Sequence, residues 1–294
     1  MRCLPFALIL TTACNRLLDT PDLHLGPCDP GAEFMQVAPV GGLENEVGMQ
    51  SARLSRDELS IVFSRLSTGG SPEHPRFGDL YMAHRDDRAD DFGRVAAINE
   101  LNSDFDEFSA SLSDDRLMLY FDRQDHGTRY EILAATRPGS EQAFGAPTAI
   151  QLGDATRSNY NPFITPAAIY FASRRDDSLA SLFMAAGHGL QFAAPQNVMS
   201  IETLISYEAP IVAFDGLTIY FSAVRDGTAV ARHIWSAARS APEQRFGLPR
   251  AVAALDTAGL EWPTWISEDN CRLYFMAKQD GAGSTLWIAS RRTP

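Results

Sequence analysis

Acidic and aromatic side chains recur in short segments that each stand ahead of a hydrophobic strand. The candidate set comprises Glu107, Tyr160, Glu208, Glu261 and Trp262. Glycoside hydrolysis requires two carboxyl groups about 5 to 10 Å apart, one of which acts as an acid. Glu107, Glu208 and Glu261 could supply such a pair. The alternative, which we favour, is that glutamate two residues before proline is an ordinary start of a repeated strand.

Metal and cofactor chemistry finds no support in the residue spacing. The six histidines form no His-x-x-x-His or His-x-His pair, and no Cys-x-x-Cys occurs. We therefore expect no catalytic residue, no cofactor and no metal site, zinc included. The acidic run at residues 86–91 lacks the alternating oxygen ligands and the glycine of a calcium loop, and we interpret it as a solvated turn.

Five copies of one strand pattern carry these residues. A hydrophobic strand that ends in an aromatic residue recurs about every 50 residues. Its final phenylalanines are Phe63, Phe121, Phe171, Phe221 and Phe275. A turn and a short strand precede each copy, and a third strand follows it. A fourth strand begins at a phenylalanine that has an aliphatic residue six positions later, as at Phe92, Phe144, Phe192 and Phe246.

The last repeat lacks its fourth strand, and a matching segment from Phe34 to Val40 stands alone near the N-terminus. This arrangement predicts an all-β fold, a five-bladed β-propeller of four-stranded antiparallel blades, with the ring closed by the N-terminal strand in the last blade. The propeller is expected to form one domain over residues 31–294. Ring closure would also bring Cys28 near Cys271, and a disulfide between them would stabilise the fold.

Two other recurring features are interpreted as structural. The aromatic residues alternate along each strand, which indicates packing between sheets more than sugar stacking. Arginine follows the third strand in four repeats, at Arg85, Arg137, Arg239 and Arg291, whereas the third repeat has Gly187. A binding site would not need so many near-copies, so we predict a repeated structural contact.

The N-terminus has the pattern of an export signal. One arginine precedes a short apolar run and small residues, and we predict a signal peptide over residues 1–13. The segment that ends at Cys14 resembles a bacterial lipobox, which implies that Cys14 is lipidated, although Thr11 stands where such motifs favour leucine. The alternatives are a plain secretory signal or a mis-set start codon. Residues 14–30 would form a tether, and the protein would reside in the periplasm or at the outer membrane.

The net charge excludes one class of partner. The chain carries a formal charge of −12, and its basic residues are scattered singly. Because no cationic stripe could neutralise a phosphate backbone, we expect no nucleic acid partner. We expect a monomer that contacts the membrane only through the N-terminal lipid.

The repeat resembles the TolB-type, WD-repeat-like propellers of exported bacterial proteins. Residues 212–239 illustrate the resemblance, with an aspartate-glycine turn, Ile-Tyr-Phe and a strand that ends near arginine. This family implies a fold but not an activity. With no accompanying catalytic domain, we predict an envelope-associated module that binds an unknown protein or envelope glycan without catalysis. The alternatives are a glycoside hydrolase that uses inner-strand carboxylates and a purely structural spacer.

Overall fold

The computed structural model describes residues 27–44, 46, 48–66, 78–124, 129–175, 179–199, 204–225, 232–257, 259–278 and 283–292. These residues form five sheets arranged as the blades of a β-propeller, and neighbouring strands in every blade are antiparallel. The five-bladed all-β prediction is therefore confirmed. The predicted signal peptide, Cys14 and most of the predicted tether lie outside the described residues. Within the described part of the chain, no helix is long and apolar enough to cross a membrane.

The strands are numbered along the chain, and the first belongs to the last blade. Strand β1 is Phe34–Pro39. Blade 1 contains β2 (Met49–Leu54), β3 (Ser60–Leu66), β4 (Gly78–His84) and β5 (Gly93–Ala97). Blade 2 contains β6 (Asp106–Leu112), β7 (Met118–Gln124), β8 (Tyr130–Thr136) and β9 (Thr148–Ala149). Blade 3 contains β10 (Arg157–Ile164), β11 (Ala168–Arg175), β12 (Ser181–His188), β13 (Gln191–Phe192) and β14 (Gln196–Asn197). Blade 4 contains β15 (Leu204–Val212), β16 (Thr218–Arg225), β17 (Arg232–Ala238) and β18 (Arg250–Ala251). After a short 3-10 helix, η1 (Ala253–Leu255), blade 5 contains β19 (Leu260–Ile266), β20 (Arg272–Lys278) and β21 (Ser284–Arg291).

The N-terminal strand closes the ring. Strand β1 pairs with β21, with Val37 opposite Ala289 and Pro39 opposite Trp287. The structure also joins Cys28, just ahead of β1, to Cys271, just ahead of β20, in a disulfide. The first and last segments of the propeller are thus held together by a ladder of hydrogen bonds and by one covalent link.

The fourth strands are shorter than the sequence pattern predicts. Strands β9, β14 and β18 have two residues each, whereas β5 has five. Most of the phenylalanines and aliphatic residues that define the pattern are nevertheless buried, for example Phe144 and Ile150, while Phe192 and Val252 are half-buried. Their burial anchors the segment against the blade, so the outer edge needs little ladder pairing.

Strand aromatics pack within and between blades. The five recurring phenylalanines of the second strands are at most 1% exposed. Tyr120 of blade 2 meets Phe192 of blade 3 edge to face, and Phe34 of blade 5 meets Tyr220 of blade 4 in the same way, each at a centroid separation of 6.3 Å. The prediction that these rings serve the core is confirmed. Residues 86–91 form an exposed turn in which Asp87 and Asp90 accept backbone N–H bonds, which confirms the solvated turn.

A repeated arginine contact, which we call the arginine latch, occurs in four blades and in three of them also reaches the neighbouring blade. Each latch arginine donates from Nε to a turn carbonyl and places its guanidinium carbon 4.0 to 4.4 Å from a ring centroid. The pairs are Arg85 with Phe92, Arg137 with Phe144, Arg239 with Phe246 and Arg291 with Phe34. Three of them also donate to a tyrosine hydroxyl of the preceding blade, at Tyr274, Tyr170 and Tyr220. The predicted structural contact is confirmed.

The latch offers a matched pair for a stability test. Arg85 and Arg137 are each 9% exposed. Arg85 bonds to the hydroxyl of Tyr274 at 3.2 Å. For Arg137 the equivalent residue of the preceding blade is Val62, which has no hydroxyl. We expect Arg85→Ala to lower the free energy of unfolding by about 1 kcal/mol more than Arg137→Ala, because the buried hydroxyl of Tyr274 loses the bond from Arg85 and keeps only the one that it donates to Glu58. Urea unfolding measures the difference. Equal losses would show that the tyrosine contact contributes nothing.

Candidate functional site

Innermost strands bend where they enter the channel. Strands β6, β10 and β15 each shift register at a bulge, and Ser109, Asn161 and Ala209 at these bulges have φ of 49°, 52° and 48°. Such left-handed conformations are uncommon for residues other than glycine and must be held by their surroundings. Bulges of this kind turn a side chain away from the regular alternation of the strand.

Polar contacts across four blades hold these bulges. The backbone N–H of Ser109 donates to Ser51 Oγ at 2.9 Å. Asn161 donates from Nδ2 to Ser109 Oγ at 2.7 Å and accepts at Oδ1 from the N–H of Ala209 at 3.2 Å. The strained positions are therefore fixed by one hydrogen-bonded belt around the channel.

The belt surrounds a cavity at one mouth of the channel. Its volume is about 290 Å³, close to the lower end of the range for small-molecule sites. We call it the mouth cavity. Its lining residues are Gln50, Ser51, Phe108, Ser109, Asp122, Tyr130, Tyr160, Asn161, Arg174 and Glu208. It contains two carboxyl groups in different settings.

Asp122 is the buried carboxyl of the mouth cavity. It lies on β7, is 1% exposed and accepts the backbone N–H of Asn161 at Oδ1 at 2.9 Å. Burial raises the pKa of Asp122 from 3.8 to about 7, against the opposing effects of that hydrogen bond and of the positive charge of Arg53. A carboxyl with this pKa is half protonated near neutral pH, as a general acid requires.

Glu208 is the more open carboxyl. Its side chain is 30% exposed and forms a salt bridge from Oε2 to Arg232 at 3.3 Å. Oε1 accepts from the hydroxyl of Tyr160 at 3.4 Å and from Ser206 Oγ at 3.4 Å. Glu208, paired with Arg232, therefore lines the same cavity as Asp122.

Aromatic and cationic groups complete the lining. The rings of Tyr130 and Tyr160 lie 5.2 Å apart between centroids, and the Arg174 guanidinium carbon is 5.8 Å from the Tyr160 centroid. Burial raises the pKa of Tyr130 to about 12 and also raises that of Tyr160. Both phenols are therefore protonated at neutral pH and can donate hydrogen bonds.

A buried arginine lies near the mouth cavity, behind its lining, and its charge acts on Asp122. Arg53 on β2 donates to the carbonyls of Thr264 at 2.8 Å and Pro210 at 3.3 Å, and its guanidinium carbon lies 5.1 Å from the Phe163 centroid. Desolvation lowers the pKa of Arg53 to about 9. Phe163 also lines a second cavity of about 390 Å³, built from residues at the other ends of the inner strands. Arg53 therefore lies beside residues of both cavities, Asp122 and Phe163, without lining either cavity itself.

Two of the five sequence candidates line the mouth cavity, and three do not. Tyr160 and Glu208 are in it, whereas Glu107, Glu261 and Trp262 are outside the lining. Register explains the difference between the glutamates. Glu208 pairs with Ser222, the first residue after Phe221. Glu107 pairs with Arg123, the second residue after Phe121. Successive side chains of a strand point to opposite faces, so the shift turns Glu107 away from the channel.

Glu107 and Glu261 instead hold the connections that enter their blades. Both are 0% exposed. Glu107 accepts the N–H of Ser103 at 3.1 Å and pairs with Arg123 at 2.7 Å. Glu261 accepts the N–H of Thr257 at 2.8 Å. Trp262 packs against the hydrophobic core. The expectation that these three residues form a channel-mouth site is corrected.

Asp122 was missed because it lies inside a strand. A comparison of the repeats could have found it, since the residue after each strand phenylalanine is Ser64, Asp122, Ala172, Ser222 and Met276. All five positions are at most 1% exposed. Blade 2 alone places a carboxyl there, where ionisation is costly.

Comparison with known proteins gives a fold and no family. No family model matches the chain, and no curated protein matches it. Among solved structures, the chain is similar to the catalytic domain of the Coprinopsis cinerea GH62 α-L-arabinofuranosidase, at 13% identity and a TM-score of 0.53, over 90% of this chain and 98% of that one. It is also similar to the β-xylosidase RS223, at 16% identity and a TM-score of 0.55, over 89% and 93% of the two chains.

TolB from Acinetobacter baumannii is another structural neighbour, at 14% identity and a TM-score of 0.51. The alignment covers 84% of this chain, which spans 55% of that TolB chain. The coarse recognition of a propeller of this kind therefore holds, without evidence for a TolB sequence family.

These matches overturn the expectation of a module without catalysis. That expectation rested on a propeller with no accompanying catalytic domain, yet the two neighbours named as glycosidases are aligned over 93% to 98% of their own chains. A propeller of this extent is thus compatible with an enzyme, and the main functional prediction was wrong. At these identities the likeness shows the fold of the chain, a five-bladed β-propeller.

Proposed function

We propose that this protein is a glycoside hydrolase whose active site is the mouth cavity. One observation carries the proposal, namely that a buried carboxyl with a pKa of about 7, Asp122, and a salt-bridged carboxylate, Glu208, line the same cavity. Glycosidases divide acid and base roles between two carboxyl groups in just such different environments. The arabinofuranosidase and xylosidase names of the structural neighbours support this class of reaction.

The two carboxyl groups take complementary roles. Protonated Asp122 donates its proton to the glycosidic oxygen as the bond from that oxygen to the anomeric carbon breaks. Glu208 supplies the negative charge on the other side in one of two ways. It takes a proton from the attacking water, or it bonds to the anomeric carbon, after which Asp122, now deprotonated, takes a proton from a water that displaces Glu208 and releases the sugar. Tyr130, Tyr160 and Phe108 offer ring faces and hydroxyls to a sugar.

Cavity shape indicates which part of a glycan binds. Arg53 is buried where blades 1, 4 and 5 meet, through its bonds to the carbonyls of Thr264 and Pro210. In the proposed site this side chain blocks passage along the channel, so the mouth cavity suits the terminal residue of a glycan better than the interior of a chain. Arg174, beside Tyr160, can donate hydrogen bonds to the hydroxyls of that residue.

A substrate screen tests the proposal. The full mature chain is incubated with 4-nitrophenyl glycosides, including the α-L-arabinofuranoside and the β-D-xyloside, and with polysaccharides assayed for released reducing ends. We expect release from at least one glycoside by the wild type and at least about 100-fold less by Glu208→Gln. Glu131→Gln, an exposed carboxylate change in the same propeller, serves as the control. Equal release by wild type and Glu208→Gln would contradict the proposal.

Arg53 provides an electrostatic test of the same site. Its positive charge lowers the pKa of Asp122, so its removal raises that pKa. We expect Arg53→Met to move the descending limb of the pH profile of kcat/KM to higher pH, because Asp122 keeps its proton longer. Circular dichroism checks that the variant is folded. An unchanged limb would mean that another group supplies the acid.

We further propose that the protein is exported and lipid-anchored at Cys14, in the periplasm or at the outer membrane, and that its repeats are of the TolB type. The disulfide between Cys28 and Cys271 supports export, because such bonds persist in oxidising compartments. An envelope glycan is then the accessible substrate. Cell fractionation with metabolic lipid labelling tests the anchor: Cys14→Ser is expected to abolish labelling, and recovery of the wild type only from the cytosol would refute export.

A further inference from the structure

A group of potential metal ligands lies apart from the mouth cavity, between blades 4 and 5. His233 is on β17, Asp256 directly follows η1, and Glu261 is on β19. His233 Nδ1 is 3.0 Å from Glu261 Oε2 and 3.4 Å from Asp256 Oδ1, and the three ligand atoms lie within 4.8 Å of one another. We propose that these residues bind one Zn²⁺ ion.

The separations are close to the coordination geometry of zinc. Zinc bonds of about 2.0 to 2.2 Å to nitrogen and oxygen at a tetrahedral angle place two ligand atoms about 3.3 to 3.6 Å apart. The 3.4 Å from His233 Nδ1 to Asp256 Oδ1 lies in that range, and the 3.0 Å to Glu261 Oε2 would lengthen slightly on binding. Imidazole with two carboxylates is a donor set that zinc accepts, and three protein ligands leave the fourth position for water.

The propeller repeat supplies an internal comparison. Glu107 occupies the same position in blade 2 as Glu261 in blade 5, and its charge is neutralised by Arg123, which stands opposite it in the sheet. In blade 5 the residue opposite Glu261 is Ala277. Glu261 is nevertheless 0% exposed, and the nearby Asp256 adds a second negative charge. A divalent cation bound by the three residues would balance the charges of both carboxylates at once.

The surroundings orient the ligands and leave a path for the ion. Oε1 of Glu261 accepts from the N–H of Thr257 at 2.8 Å and from its hydroxyl, which directs Oε2 toward His233. Such supporting bonds are typical of ligating carboxylates. The side chains of His233 and Asp256 are 28% and 39% exposed, so an ion can reach the site from solvent. None of the three residues lines the mouth cavity, so the site is structural and joins two blades.

Zinc binding to the chelator-treated mature chain tests the inference. Isothermal titration with Zn²⁺ and metal analysis after dialysis are expected to give one ion per chain for the wild type. His233→Ala should bind at least tenfold more weakly. Thr257→Val should weaken binding about 10- to 100-fold, because it removes only a supporting hydroxyl. His188→Ala, at an exposed histidine of blade 3, is the control and should bind like the wild type.

Two outcomes would overturn the inference. One is a wild type that takes up no zinc, which would leave His233 as a hydrogen-bond donor to Glu261. The other is equal uptake by wild type and His233→Ala. Asp256→Asn, at the exposed rim, replaces His233→Ala should that variant fail to fold. Parallel titrations with Ca²⁺ and Mn²⁺ check the ion, since tighter binding of either would contradict the zinc assignment. Glycosidase activity plays no part in these readouts, so the two proposals fail separately.

Discussion

Asp122→Asn is expected to lower kcat/KM for a glycoside with a poor leaving group by about 10²- to 10⁴-fold, the usual contribution of a general acid. The amide still accepts the N–H of Asn161, so the belt around the cavity is kept. A leaving group of low pKa departs without a proton. The loss should therefore shrink steadily along a series of aryl glycosides as the leaving group becomes more acidic.

Glu208→Gln provides the contrast within the same cavity. Its role does not depend on protonation of the leaving group, so its loss should stay the same along the aryl series. Glu131→Gln again serves as the exposed control. A loss for Asp122→Asn that is equal across the series, or no loss at all, would remove Asp122 from the role of general acid.

Asp122→Asn should also change the stability of the protein in a pH-dependent way. The pKa of Asp122 is raised on folding, from 3.8 to about 7, so the folded state holds the proton more tightly than the unfolded state. The contribution of the Asp122 carboxyl to the free energy of unfolding is fully present below pH 3.8 and is lost as the pH rises through about 7. Asp122→Asn removes this dependence. At pH 8 the variant should exceed the wild type in unfolding free energy by up to about 4 kcal/mol, and at pH 4 the advantage should vanish.

Cys28→Ser is expected to produce the largest loss of stability. The disulfide joins residues 243 apart in sequence and so constrains a very long loop of the unfolded chain. Loop-closure entropy predicts a loss of about 5 to 6 kcal/mol in the free energy of unfolding. Thermal and urea unfolding of the oxidised wild type and of the variant measure it.

Reduction supplies the control for that experiment. A reducing agent should lower the wild type to the level of Cys28→Ser and should leave the variant unchanged. Strand β1 still pairs with β21 in both states, so the variant should remain a closed propeller at low temperature. A variant as stable as the oxidised wild type would show that the ladder alone secures the ring.

The fold could be predicted because its signal is repeated. Five strands that carry the recurring phenylalanine, with turns on either side, define the blades. The unmatched segment at Phe34 then pairs with β21. The lengths of the outer strands could not be predicted. Their buried side chains, such as Phe144 and Ile150, show the same sequence pattern whether or not the backbone between them pairs.

The candidate site was predictable only in part, because the register at the bulges decides it. Glu107, Glu208 and Glu261 stand in similar segments of the sequence, but one position of shift puts only Glu208 in the mouth cavity. Left-handed backbone at Ser109 and Asn161 has no signal in a single sequence. The metal ligands were missed for a related reason, since the cluster is assembled from two blades and has no local spacing motif.

The titration of the Asp122 carboxyl tests the central claim most directly. Carbon-13 NMR of protein labelled at the aspartate carboxyl carbons, compared with labelled Asp122→Asn, assigns the signal. We predict one carboxyl resonance with a midpoint near pH 7 that is missing from the variant. A midpoint near pH 4, like that of an exposed aspartate, would contradict the claim that this cavity holds a general acid.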